Sequence, residues 1–563
     1  MSLRAERGNL LLGQWHVGCA MHTILSPHAS KQSQASASLA FQAPGNPLTV
    51  CQKNVPGNIP FPNCTLDGPP ESGIISSMQG NTLKDKEFGA YYTPVEVAAS
   101  LVKWAVHRPC DRMLDPSCGD GRFLALHRNS TGVEQDTNAL AKAVTAAPWA
   151  TVREGDFFTW ANDTSDRFDC AAGNPPFIRY QRWQGEVRQR ALALCERLGA
   201  TFSSLTSSWA PFLVAAASVL KPGGRMAFVV PAEIGHASYA VPLLEYLAKN
   251  FATVQIIAIR QKVFVELSED CWLLYADGFG DSTDCFRITC QKDFSYSDTR
   301  PRDFETIPLD QWRAWRCRIR PFLLPEPIRA LYRGLADGPD TLRLGDVARV
   351  GIGYVTGAND FFHLRPSQAA DAHIPEQFLH PSIRNGRALP ENTVTHATVR
   401  GWLNRNEPVL LLRITQGQSL PRSIQRYLNT SEALEAKRTY KCRTREPWYV
   451  VPDVQIPDAF LSYMSGNDVS LVANQARCVC TNSVHAVTLK NGMSVELLQR
   501  GWDSPLARLS CELEGHPLGG GLLKLEPREA ANLVIPDPRG QMPGESSVLN
   551  EGIDIMRRWR HYG

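Results

Sequence analysis

Between Phe88 and about residue 300, helix-like and strand-like segments alternate, and that alternation confines the chain to few folds. Apolar spacing predicts helices at Val95–Ala105, Phe123–His127 and Trp209–Leu220. Short apolar runs predict strands at Arg112–Leu114, Thr131–Val133, Phe168–Ala172, Arg225–Val230 and Val254–Ile259. Strands separated by helices pair in parallel, so the expected fold is α/β, a doubly wound, Rossmann-like sheet.

At 563 residues the chain exceeds one ordinary core and should divide into two or three domains. Residues 1–80 are rich in Ser, Pro, Gly, Gln and Asn and are expected to form an irregular extension, with Met78 an alternative start. The α/β domain is expected over 81–310. Residues 311–345 read as a linker because Trp312, Trp315, Pro321, Pro325 and Pro327 crowd together, and a second domain with more strand and turn character, opened by Gly351, Gly353 and Gly357, fills 346–563. Composition narrows the class: 43% hydrophobic and 20% charged residues, with no run of roughly 18 apolar positions, exclude a membrane protein. Polar residues interrupt the start, so no signal peptide is expected, and fifteen cysteines without a C-x-x-C pair fit reduced thiols in the cytoplasm. A net charge of +3 does not by itself announce nucleic acid.

Met113 to Gly121 reads as a strand entering a glycine turn, with Asp115, Pro116, Gly119 and Gly121 where backbone can approach a ligand. A glycine turn alone serves any tight connection. Nineteen positions beyond Asp115, however, Glu134 closes the next strand, where a carboxylate can accept from both hydroxyls of a ribose. Asp156, after a third strand, suits an adenine amino group, with Phe157 offering aromatic surface beside it. Acids dominate this crevice and no G-x-x-x-x-G-K-[ST] occurs there, so a nucleoside without phosphates is the better ligand.

Asn174, Pro175, Pro176 and Phe177 follow the strand Phe168–Ala172. Two prolines stiffen the turn, so the Asn174 amide oxygen and the Pro175 carbonyl can aim at one point. Both are acceptors; together they can hold the two hydrogens of an exocyclic amino group and free its lone pair to attack a methyl sulfonium. Phe177 would stack on the substrate ring of a base swung out of the duplex.

The ordered set Phe88-Gly89-Ala90-Tyr91-Tyr92-Thr93-Pro94, the Asp115 loop, Glu134, Asp156 and Asn174-Pro175-Pro176-Phe177 resembles the gamma class of amino-methyltransferases, which includes bacterial restriction–modification adenine-N6 DNA methyltransferases. The resemblance covers roughly residues 85–540. It implies S-adenosylmethionine as cofactor, with Tyr92, Thr93 and Pro94 enclosing its methionine part, the Asp115 loop beneath it, Glu134 on ribose and Asp156 on adenine. Phe264, within Arg260-Gln261-Lys262-Val263-Phe264, resembles the second aromatic wall for the flipped base, with core packing as its alternative role. Lys221-Pro222-Gly223-Gly224-Arg225 resembles a structural turn of the family.

Gly351-Ile352-Gly353-Tyr354-Val355-Thr356-Gly357-Ala358-Asn359-Asp360-Phe361-Phe362, with Gly519-Gly520-Gly521 later, resembles a target-recognition domain, here of mixed α/β character. Basic residues interleave with aromatics at Trp312–Arg320 and again at Tyr427–Trp448, which suits phosphate contacts and base stacking; a solvated face is the alternative for either. About 220 residues beyond the catalytic domain are unnecessary for a free nucleotide but make sense for reading double-stranded DNA. No metal is expected, since thirteen histidines show no ligand spacing. Any restriction endonuclease or defence-system subunit is expected as a separate partner, because residues 1–80 are too short and irregular for a fused nuclease. The competing expectations are an RNA or protein-glutamine methyltransferase, or a catalytically silent DNA-specificity subunit; the latter predicts damage in Asp115, Glu134, Asp156 or Asn174, all of which are intact.

Overall fold

A computed structural model describes residues 93–264, 269–518, 520–540 and 546–562. The extension expected at 1–80, the Phe88–Tyr92 part of the upstream motif, including Tyr92, and Gly519 lie outside the described residues.

The α/β part runs α1 (Val95–Ala105), β1 (Met113–Asp115), β2 (Ser130–Glu134), α2 (Thr137–Ala146), β3 (Thr151–Glu154), α3 (Phe157–Asp163), β4 (Phe168–Gly173), α4 (Glu186–Arg197), α5 (Trp209–Ser218), β5 (Leu220–Pro231), α6 (Val241–Asn250), β6 (Phe251–Ile259), β7 (Cys271–Phe279), β8 (Cys285–Gln291) and β9 (Glu305–Pro308). Between the Gly121 turn and β2, where the sequence predicts a short helix, there is room for only one 3-10 turn, Leu124–Leu126. The strands form one nine-stranded sheet in the order β3-β2-β1-β4-β5-β7-β6-β8-β9. From β3 to β5 every pairing is parallel, whereas β7 and β9 run against their neighbours. The strand order reverses between β1 and β4, and in an open α/β sheet ligands bind at the carboxyl ends beside such a reversal.

Two-residue periodicity decides the layers. Along β5, Met226, Phe228 and Val230 face one apolar layer while Ala227 and Val229 face the other, and both sets are buried. A strand apolar on both faces needs cover on both. On one side α1 supplies it with Val97, Ala98, Leu101, Val102 and Ala105. On the other side α5, buried almost throughout from Trp209 to Ala217, is joined by α3, α4 and α6.

The segment read as a linker is packed. It holds α7 (Leu309–Ala314), a 3-10 turn (Arg320–Leu323) and α8 (Glu326–Ala336), and Trp312, Phe322, Ile328 and Tyr332 enter the same layer as the nine-stranded sheet. Its prolines start helices rather than break them: Pro327 sits in the first turn of α8, where a missing N–H is harmless. Beyond it, β10 (Ala348–Ile352), β11 (Thr393–Val394), β12 (Ala459–Ser462), β13 (Leu471–Asn474) and β14 (Val484–Leu489) form a sheet in the order β10-β14-β12-β13-β11. The helices used below are α9 (Ser431–Arg438), α10 (Tyr440–Arg443), α11 (Pro505–Glu514) and α12 (Ser547–Trp559). Leu506, Leu509 and Leu513 of α11 and Leu549, Ile553 and Met556 of α12 return to the layer that covers the nine-stranded sheet, so the two halves share one continuous core.

Candidate active site

The residues picked from the sequence converge at the sheet's reversal point. Asp115 ends β1, Glu134 ends β2, Asp156 caps α3 just past β3, and Asn174 follows β4. Short strand-to-helix connections in a parallel sheet bring such positions to one edge.

Asp115 is buried, and its Oδ1 accepts the Ser117 amide at 3.3 Å. Its Oδ2 is buried without a hydrogen-bond partner among the described residues. Burial, followed by the negative charges of Glu134 and Asp120, pushes the Asp115 carboxyl well above its ordinary range despite the Ser117 bond. A buried carboxylate in that condition gains most from a cationic group laid against it. Pro116 is also buried. Gly119 and Gly121 have φ of +52° and +85°, which a side chain rarely adopts. A Cβ on Gly121 would lie 2.8 Å from Ala143 Cα, whereas the space over Gly119 is open. The turn therefore needs Gly121 for packing and Gly119 for its fold and an unobstructed face.

Glu134 staples this turn. Oε2 accepts the Gly119 amide at 2.9 Å, and Oε1 accepts the amides of Gln135 and Asp136 at 2.9 and 2.8 Å. A carboxylate offers about four acceptor positions, so roughly one remains for a ribose hydroxyl and a second hydroxyl must displace an amide. Asp156 spends Oδ1 on the amide and hydroxyl of Thr159, both at 2.8 Å, and keeps Oδ2 without a bond among the described residues. Phe157, expected to offer an aromatic face, is only 4% exposed and packs on Phe212 with centroids 4.7 Å apart. Its ring is held by the core, because position 157 opens α3 on the side facing α5. Thr93 is buried, and its carbonyl accepts Arg122 Nη1 at 2.8 Å while Arg122 Nε donates to Asp120 at 2.7 Å. Arg122 thus ties the Thr93-Pro94 start of α1 to the glycine turn.

The Asn174-Pro175-Pro176-Phe177 turn is anchored at both ends by hydroxyls that sequence reading missed. Ser117 Oγ donates to the Asn174 carbonyl at 3.1 Å. Ser208 Oγ donates to the Pro176 carbonyl and accepts the Ile178 amide at 2.9 Å, and the Ser208 amide donates to the Ile178 carbonyl at 3.0 Å. The Pro175 carbonyl takes no hydrogen bond among the described residues. Gly173 explains the residue before the turn, since a Cβ there would stand 2.7 Å from Asp115 Oδ1. Phe177 is half-buried and packs against both apolar layers; Phe264, 7% exposed, belongs to the α1 layer. Beyond Phe177, Arg179 Nη2 donates to Glu269 at 2.7 Å. Ser208 stands in Ser203-Ser204-Leu205-Thr206-Ser207-Ser208, a run with no local signal that singles it out.

The first basic cluster is not a free surface. Arg316 and Arg318 pair with Glu514, Arg318 also with Glu529 at 3.7 Å, and Arg320, 3% exposed, lies 4.0 Å from Glu512. Arg316, Arg318 and Arg320 are taken up in joining the halves, which corrects the expectation that they meet phosphates; of the cluster only Arg313 is exposed without an ion pair among the described residues. The second cluster remains exposed at Lys437, Arg438 and Arg443. Among the described residues no helix is long and apolar enough to cross a membrane.

The Eco57I restriction-modification methylase family model matches residues 124–264, and the model of the C-terminal domain of the type II methyltransferase M.Eco57I matches 318–558. The type II methyltransferase M.AccI of Acinetobacter calcoaceticus is 22% identical over 476 residues, covering 79% of this chain and 84% of that relative. M.XamI of Xanthomonas campestris pv. amaranthicola is 22% identical over 479 residues, covering 80% and 85%. Among solved structures, the type IIL restriction-modification enzyme MmeI in complex with DNA aligns at TM-score 0.45 and 13% identity over 73% of this chain and 60% of that one. The type IIG restriction endonuclease BpuSI aligns at 0.39 and 14% identity over 83% and 61%. The chain thus spans about three fifths of these two solved chains. The cofactor is S-adenosylmethionine, and the site fits it: the buried Asp115 oxygen, without a hydrogen-bond partner among the described residues, is where a cationic ligand is stabilised.

Proposed function

We propose that this chain, a member of the restriction–modification DNA methyltransferases, methylates the exocyclic N6 of adenine in double-stranded DNA, with the target base flipped out of the helix. The observation that carries the reading is the Asn174-Pro175-Pro176-Phe177 turn, pinned by Ser117 and Ser208 beside Asp115, whose Oδ2 has no hydrogen-bond partner among the described residues.

S-adenosylmethionine, when bound, supplies an electrophilic methyl group on sulfur. Residues of the chain do the rest. Asn174 Oδ1 and the Pro175 carbonyl accept the two amino hydrogens, which removes the lone pair from conjugation and points it at the methyl carbon. As the nitrogen–carbon bond forms, the carbon–sulfur bond would break and its electron pair return to sulfur, leaving a neutral thioether; the cationic nitrogen then releases a proton to water, so no strong base is needed beforehand. Phe177, half-buried at the turn, is the aromatic surface for the unstacked base, while Phe264 is buried in the α1 layer, the packing role that was its alternative. Asp115 would hold the cationic part of the cofactor, Glu134 one ribose hydroxyl, and Asp156 Oδ2 the adenine amino group. Adenine rather than cytosine is supported by the resemblance in motif order, and the cytoplasm, with a separate nuclease as partner, is the setting that fits a DNA-modifying chain.

The test is methylation of plasmid DNA with a labelled methyl donor, followed by nucleoside analysis. The wild type is expected to yield N6-methyladenine, and Asn174→Ala to lose about 10²–10³ in rate, the scale of losing one preorganised polar contact in a transition state. Label on cytosine, only in RNA or on protein glutamine, or full activity in the variant, would overturn the assignment.

A further inference from the structure

The motif from Gly351 to Phe362 seats a helical module. Arg445 donates to the carbonyl of Thr356 at 2.7 Å and to that of Val355, and Cys442 Sγ lies 3.5 Å from the Thr356 carbonyl. Gly357 has φ +82°, and a Cβ on it would lie 2.6 Å from Lys441 Cβ. Glycine is therefore needed there both for backbone conformation and to let α10 come close. Phe361 and Phe362 form one buried cluster with Ala433 and Ala436 of α9 and Cys442 of α10.

That seat decides which way α9 and α10 present themselves. With Ala433 and Ala436 inward, helical spacing turns Leu434, Glu435 and Arg438 outward and Lys437 to the flank. Leu434 is 56% and Tyr440 65% exposed, large values for such side chains. Lys437, Arg438 and Arg443 are exposed, Lys441 partly so, and Arg422 and Arg426 just upstream are exposed as well. Among the described residues none of these six cations forms an ion pair, and only Glu432 and Glu435 offer opposing charge on α9. Arg443 lies over the Tyr440 ring at 5.5 Å.

Unpaired cations on a rigid helical platform, with one aromatic ring held outward, suit an anionic polymer of regular charge spacing. We infer that α9 and α10 form the surface on which duplex DNA rests, with Lys437, Arg438 and Arg443 meeting phosphates and Tyr440 standing at the groove. The inference rests on the DNA reading above, and gives it a location in the second half of the chain.

The full-length triple variant K437E/R438E/R443E tests it. Binding of a 40-base-pair duplex is followed from 50 to 200 mM salt, beside thermal unfolding and S-adenosylmethionine binding. Removing three phosphate contacts should flatten the salt slope by about 2.7, so that wild type loses roughly forty-fold more affinity across that range than the variant does. Unfolding and cofactor binding should not move, and reversal at Lys249 and Arg302, exposed elsewhere, should leave the slope unchanged. Y440A should keep the slope and lower methylation. A wild type that methylates DNA while the triple variant retains its slope would overturn this inference alone, including the case in which the patch receives an acidic protein. A wild type that neither binds nor methylates DNA would overturn both readings.

Discussion

Two stretches of this chain have the same look, arginines and lysines interleaved with tryptophan and tyrosine, yet they end in opposite conditions. In Trp312–Arg320, Trp312 and Arg320 are buried, and Arg316, Arg318 and Arg320 each face a carboxylate of α11. In Tyr427–Trp448, Lys437, Arg438, Lys441 and Arg443 form no ion pair among the described residues, with only Glu432 and Glu435 beside them on α9, and the aromatic Tyr440 is exposed. The deciding residues, Glu512 and Glu514, lie about 190 positions away from the first cluster. A run of basic residues is free to meet phosphates only where the fold does not pair it with acids.

By that contrast, the first cluster should respond to loss of an acid by losing stability, not DNA affinity. Glu512 is 3% exposed and takes Arg560 at 2.8 and 2.9 Å, with Arg557 at 3.6 Å and Arg320 at 4.0 Å. Burial already draws Arg320 down to about 10. Glu512→Ala leaves these buried guanidiniums uncompensated, which costs about 3–5 kcal/mol. Thermal melts should show this loss, and the DNA salt slope of the remaining folded protein should match wild type. A changed slope would erase the distinction between the two clusters.

The second cluster should respond at its seat. Gly357→Ala places a methyl 2.6 Å from Lys441 Cβ at a φ of +82°. A strained backbone of this kind costs of order 1–3 kcal/mol, and backbone shift at α10 is the way to relieve it. DNA affinity should fall about tenfold, while S-adenosylmethionine affinity, measured by calorimetry, stays put. Equal losses in both would mean that the seat supports the whole fold and not the module.

The gathering of Asp115, Glu134, Asp156 and Asn174 at one sheet edge could be read from the chain because short loops leave them little freedom once the strands pair in parallel. What escaped reading depends on distance along the chain. Ser208 touches the Asn174–Phe177 turn and its next residue from 30 residues away, at the start of α5, and nothing in its serine-rich surroundings marks it. Phe157 looked like ligand surface, but the residues that bury it, Phe212 and Trp160, are fixed only when α3 packs on α5. The prolines of 311–345 suggested a linker for the same reason: an isolated Pro325-Glu326-Pro327 reads as a break, and only packing shows it as a helix start.

Acid provides the finest separation. His363, beneath the second module, bonds the Tyr354 hydroxyl at 2.8 Å and the Asn359 carbonyl at 3.0 Å, and burial pushes it down to about 4 from an ordinary 6.5. The unfolded chain then takes a proton that the folded chain refuses, so this contribution is whole above pH 6.5 and falls away towards pH 4, by about 1.4 kcal/mol per pH unit. His236, buried against His516 at the join of the halves, is lowered too and adds to the same window. The join has a second acid weakness. Burial raises Glu529, but the hydrogen bond and charge of His516, with Arg318, outweigh it and hold the carboxyl below its usual 4.5. A depressed carboxyl contributes stability above the unfolded value and loses it as pH drops through the folded one, hence below about 4.5. Melting temperature against pH should therefore fall gently from 6.5 and more steeply below 4.5. His363→Gln should remove its share of the gentle part and leave the steep part alone. A variant that instead shifts the steep limb would place His363 in the join, and the two basic clusters would no longer be separable by what lies beneath them.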